Sequence, residues 1–201
     1  MKFSRMFSAL AAFAIGLLTG PVAFRARTCD VAFGYRMGSG FPGDVNRTHP
    51  ASILARLLNT TVPPRAHGDP VFINAADSSV RGIVAGDGST TPGRIYGVLV
   101  RPYPTQQMSG GPSAAIGASA PPTGGVGDVL RSGFIMAKLP PGASVVADGT
   151  VYVWAAATSG NNIQGKLVAA ANGTNTYTVT NARFVGPADA DGNVEIEVWA
   201  A

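Results

Sequence analysis

Very few residues in this chain have the types and spacing that do chemistry. His49 and His67 are the only histidines in 201 residues. Neither sits in a H-x-E, H-E-x-x-H or G-x-S-x-G context, so no acid-base or nucleophilic team assembles from motifs. Gly88-Ser89-Thr90-Thr91-Pro92-Gly93 has the G-x4-G spacing of a phosphate loop, but Arg94-Ile95 replaces the Lys-Ser/Thr pair and a strand follows where a helix is required. The run reads as a turn. Asp189, Asp191, Asn193 and Glu195 alternate like the start of a calcium loop, yet Gly192 comes two residues too early and the bidentate Glu is missing from its place. A surface turn is the better reading, with a weak cation site as its alternative. Cys29 has no second thiol, which removes intrachain disulfides and cysteine-based metal sites. Asn46, Asn59 and Asn172 begin sequons that matter only in a eukaryotic secretory route. The residues point to no catalytic group, cofactor or metal.

Composition describes the scaffold better. Gly 26, Pro 15 and only 13% charged residues, with positive mean hydropathy, suit a turn-rich β protein. A chain of this size holds one ordinary domain with appendages. The formal charge of +4 invites a nucleic-acid reading, but residues 1–36 hold five basic residues against Asp30, leaving ten and ten of the totals of 15 and 11 from Met37 onward. Phosphate binding needs clustered Lys and Arg. Here they are dispersed through a neutral body, so no nucleic-acid partner is expected.

Residues 1–36 form an apolar leader. Lys2 and Arg5 precede an apolar run from Met6 to Leu18, the outline of a secretory signal, but an A-x-A-like exit is missing and the run is short for a membrane span. A signal peptide, a membrane anchor and a misassigned start before Met37 all compete, with the last slightly favoured. Residues 37–201 are then a single β-rich domain.

Gly93 to Gln107 is its most strand-like run. Ile95, Tyr96, Val98, Leu99 and Val100 favour a strand, and Pro102 and Pro104 end it by removing donors. Before it, Pro42-Gly43-Asp44 reads as a turn, and Thr48 to Thr61 as a short helix, with Ile53, Leu54, Leu57 and Leu58 on one face, or as an extended arm. Strands are expected at 70–75, 80–85 and 94–101, and six more at 128–139, 149–156, 163–170, 176–180, 183–185 and 193–199. Val194 to Trp199 alternates strictly, as a half-buried strand does. Asp148-Gly149, Asn172-Gly173 and Asp191-Gly192 suit tight reversals. Residues 108–127 lack charge and periodicity, which makes 102–127 a loop or an arm laid over a neighbouring molecule. The fold class is all-β: an antiparallel sandwich or barrel, jelly-roll-like, with an extended N-terminal segment and a long Gly/Ala/Pro-rich loop.

GFPGDVNR, IYGVLVRPYPTQ, VLRSGFIMAKL and ARFVGPADADGNVEIEV, in that order, resemble the structural cement or head decoration proteins of tailed bacteriophages over most of Met37 to Trp199. The resemblance implies a non-enzymatic, β-rich protein outside the shell, binding the major capsid protein and itself, as a trimer or dimer, with no membrane in the mature role. It implies a place on the virion head exterior after assembly in the bacterial cytoplasm. Members begin a few residues before the GFPGDV-like turn, and the leader departs from that pattern. The expected interface residues are Pro42, Gly43, Asp44, Val45, Asn46, Arg101, Pro102, Tyr103, Pro104, Thr105, Gln106 and Gln107. The rival reading is an exported bacterial β-sandwich adhesin or envelope-binding module, secreted or periplasmic, suggested by the signal-like leader.

Overall fold

The computed structural model describes residues 40–47, 50–87, 89–102 and 121–200, all within the unit Met37–Ala201. Its organising element is a 13-residue strand, Val126–Lys138, the sixth of ten strands among the described residues. In chain order these are β1 (Ser52–Leu57), β2 (Pro70–Ile73), β3 (Val80–Arg81), β4 (Ser89–Gly93), β5 (Gly97–Leu99), β6 (Val126–Lys138), β7 (Thr150–Trp154), β8 (Leu167–Val168), β9 (Thr176–Phe184) and β10 (Asn193–Val198). Hydrogen-bonded neighbours run β3-β2-β5-β6-β10-β9-β7-β8, with β1 added to β6 and β4 to β9. The first half of β6 pairs with β1 and β5, and its second half with β10. Pairing is antiparallel throughout that path, and the all-β sheet curls into a half-barrel.

Two-sided burial explains the continuous apolar run in β5. Val98 and Val100 enter the larger core with Leu130, Ile135, Val151, Val179, Phe184 and Ile196. Leu99, from the opposite face, joins a smaller core with Leu58, Val71, Val80 and Val129. β10 is wet on one side, as its alternation requires: Val194, Ile196 and Val198 are buried, while Glu195 and Glu197 pair with Arg47 and Arg183.

Four expectations change. Of the two readings of 48–61, a short helix or an extended arm, the helix is not formed: Ser52–Leu57 is the extended strand β1, paired to β6 from Ser52↔Ser132 to Leu57↔Val126. Its apolar residues do not share a buried face: Leu58 is 1% exposed, but Ile53, Leu54 and Leu57 are 43, 43 and 54% exposed. The G-x4-G run, read as a turn, is β4, paired parallel to β9. Gly93 permits that approach, because a Cβ there would collide with the Tyr177 hydroxyl. The two segments at 176–180 and 183–185 are one strand, β9, in which buried Asn181 bonds the backbone of Ile95 in both directions. The long loop ends before Val126, where β6 starts.

Candidate functional site

The turn at 42–46 and the exit of β5 meet in space. Gly43 N–H donates to Met136 O at 2.8 Å, and Met136 N–H donates to Asp44 O at 2.9 Å. Arg101 N–H donates to Gly43 O at 2.9 Å, and its guanidinium donates to Pro42 O through both Nε (3.1 Å) and a terminal nitrogen (3.0 Å). The turn therefore stitches the second half of β6 to the end of β5 without being a strand. Asp44 closes it locally, accepting from Phe41 N–H at 3.1 Å and lying 3.5 Å from Arg101 Nε. Val45 packs against the larger core.

Beneath the turn lies residues 66–69. Gly68 N–H donates to Leu99 O, and a Cβ on Gly68 would stand 2.8 Å from Gly43 N and 3.0 Å from Met136 O. His67 is buried, with Nδ1 3.1 Å from Val100 O, so the neutral ring carries its proton on Nδ1 and donates. Burial pushes the His67 pKa down; the carbonyl bond opposes this, and Arg101 and Lys166 add to it. Asp69 is buried against Lys166, Oδ1 to Nζ 2.7 Å, and Oδ2 accepts from Ala66 N–H. Burial raises the Asp69 carboxyl, while the Lys166 charge and the hydrogen bonds pull it back.

A His67 pKa below its ordinary 6.5 means that the unfolded chain takes up the proton first. Its contribution to stability is full above 6.5 and is lost as pH falls from there through the folded value. Melting curves from pH 7.5 to 5 should show this fall, and His67→Gln should flatten it; an equally steep fall in the variant would clear His67 of the role.

Of the expected interface residues, the structure joins Pro42, Gly43, Asp44 and Arg101 in one clamp, with Pro102 exposed beside it and Asn46 exposed at the turn's end. Tyr103, Pro104, Thr105, Gln106 and Gln107 lie outside the described residues, as does most of the expected arm. Gly43 is buried and the Arg101 side chain is 7% exposed, so these two work inside the fold. What they present outward is Phe41, 51% exposed, with the Arg101 guanidinium 5.4 Å from its ring centroid. At the end of the turn Arg47 lies 4.0 Å over Phe134 and pairs with Glu195 at 2.7 Å. Asp189, from the calcium-like run, accepts from Asp191 N–H, Asn193 N–H and Asn193 Nδ2, which is a turn closure.

Sequence reasoning missed a second exposed area. Ile53 and Leu57 on one face of β1, with Val126 opposite Leu57, and Leu54 on the other face, leave apolar side chains open to solvent. Their count was visible in the sequence; that they lack a core to face was not.

Comparisons with known proteins agree with this architecture. A family model described as XM1 gp53 minor capsid protein matches residues 31–198. No curated protein matches the chain. Among solved structures, a chain from the capsid of Myoviridae phage XM1 superposes with a TM-score of 0.57 at 18% identity, over 82% of this chain and 93% of that one. At that identity the likeness is one of fold.

Proposed function

The chain belongs to the XM1 gp53 minor capsid protein family, and from that premise we propose that it is a cement protein that binds the outside of a tailed-phage head and ties neighbouring major capsid protein capsomers together. The observation that carries this reading is the extent of the family match, which takes in all but the last two described residues. A neutral body fits a protein that must not compete for the packaged genome. Many modest contacts, multiplied by capsid symmetry, hold such a layer without any strong one. The turn at 41–47 with the β5 exit is assigned to the shell contact, and a trimer or dimer is the working unit. The role asks for no catalytic group.

The test is reconstitution. Heads stripped of the protein should take up the purified chain to a fixed copy number per capsomer, and should then withstand higher temperature before releasing DNA. Heads with vacant sites that bind none of it would overturn the cement role, as would its absence from purified virions.

A further inference from the structure

Two arginines share one tyrosine near β1 without any acid between them. Arg131 lies with its guanidinium carbon 3.9 Å from the Tyr96 ring centroid, and Arg56 lies 5.2 Å from it while its Nε donates to the Tyr96 hydroxyl at 2.6 Å. Among the described residues, Arg47, Arg81, Arg101, Lys166 and Arg183 each pair with a carboxylate; Arg56 and Arg131 do not, and neither do Arg65, Arg94 and Lys138, but only Arg56 and Arg131 meet at one ring. The Nε–H of Arg131 is buried and has no acceptor at all. A buried donor left unmade is unusual, and two like charges held at one ring repel unless an anion joins them.

The surroundings say what kind of anion. β1 pairs with β6 along one edge, and among the described residues no backbone bond reaches its other edge. Five of its six residues are exposed, including Ile53, Leu54 and Leu57, with Val126 65% exposed across from Leu57. An open edge carrying apolar side chains is a template for an added strand. We propose that Arg56 and Arg131 form a carboxylate-binding site for an extended segment of another capsid component, which pairs with the free edge of β1 and places an acidic side chain, flanked by apolar ones, against the two guanidiniums. A guanidinium takes a carboxylate in a two-point fork, and Tyr96 fixes both planes in advance. The class of partner rests on the capsid reading; the site's chemistry rests on this geometry alone.

The experiment titrates the peptide Ac-Val-Glu-Val-NH2 into the 15N-labelled full chain and follows the Arg131 Nε–Hε resonance, with Ac-Val-Gln-Val-NH2 and inorganic phosphate as parallel probes. The Glu peptide should move that resonance and the β1 amides, with the Gln peptide binding about 10-fold more weakly. Arg131→Lys keeps the charge but not the fork and should weaken binding about 5-fold or more, as should Arg56→Gln, with the remaining amide spectrum unchanged. Equal shifts with Glu and Gln peptides, shifts with phosphate alone, or no shift with any probe would each overturn the site. Failure here with intact head binding would leave the cement role standing. A bound peptide with no head binding would do the reverse.

Discussion

Replacing Lys166 by methionine is expected to remove about 3–5 kcal/mol of unfolding free energy at pH 7, the usual result of leaving a buried carboxylate without its partner. The Asp69 side chain is 6% exposed, and the Ala66 N–H and the more distant Arg65 charge would then be left to answer its charge. Burial already holds the Asp69 carboxyl above the ordinary carboxylate range, and Lys166 is the main influence against that shift. Without the lysine the folded value rises further. A group whose folded pKa lies above its unfolded value stabilises below the unfolded value and loses that contribution as pH rises through the folded one. The deficit of the variant should therefore be largest at neutral pH and should narrow as pH falls toward the ordinary aspartate value of 3.8. His67 works in the same direction, since losing the Lys166 charge makes its protonated form easier to bear. Urea unfolding at pH 7 and pH 5 reads the difference, and Asp69→Asn added to Lys166→Met should recover much of the loss. A deficit below about 1 kcal/mol at both pH values would mark the pair as an ordinary surface contact.

The pair anchors residues 66–69, on which the 42–46 turn rests. Little of that was legible in the chain. Strand β10 was, since its apolar residues alternate against a single core, and β5 was, since its unbroken apolar run faces two cores. The β1 stretch left helix and extended arm undecided: Ile53, Leu54, Leu57 and Leu58 fall at spacings that suit a helix face, yet the chain there is extended and of these four only Leu58 serves the interior. Periodicity reports burial, so a strand whose apolar residues face solvent carries no usable period. β4 misled. Its Gly, Pro, Ser and Thr are turn residues by type, and parallel pairing with β9 overrode them. The turn and Arg101 were each marked separately, but the hydrogen bond that joins them spans 59 residues of chain, and no local pattern encodes such a meeting. The same holds for Arg56 and Tyr96, 40 residues apart.

Gly43→Ala should cost about 2–4 kcal/mol, because it combines a strained backbone with overpacking. Gly43 has φ +91°, a region that L side chains rarely adopt, and an added Cβ would stand 2.7 Å from the His67 Cβ and 3.0 Å from Arg101 N. Both close neighbours belong to the frame of the turn, so neither can retreat without disturbing His67 against Val100 or Arg101 N–H against Gly43 O. Gly86→Ala separates the two contributions: its φ is +102° but nothing lies within 4 Å of the new Cβ, so it should show the backbone strain alone, about 1 kcal/mol. Arg101→Lys leaves Gly43 untouched and removes the forked donation to Pro42 O, with an expected loss of about 1–2 kcal/mol. If the turn makes the shell contact, the folded fraction of Gly43→Ala should also bind stripped heads less tightly, whereas Gly86→Ala should bind them as the parent does. Unfolding of Gly43→Ala within about 0.5 kcal/mol of the parent would mean that the turn adjusts freely, and a feature that adjusts freely is not what joins β6 to the end of β5.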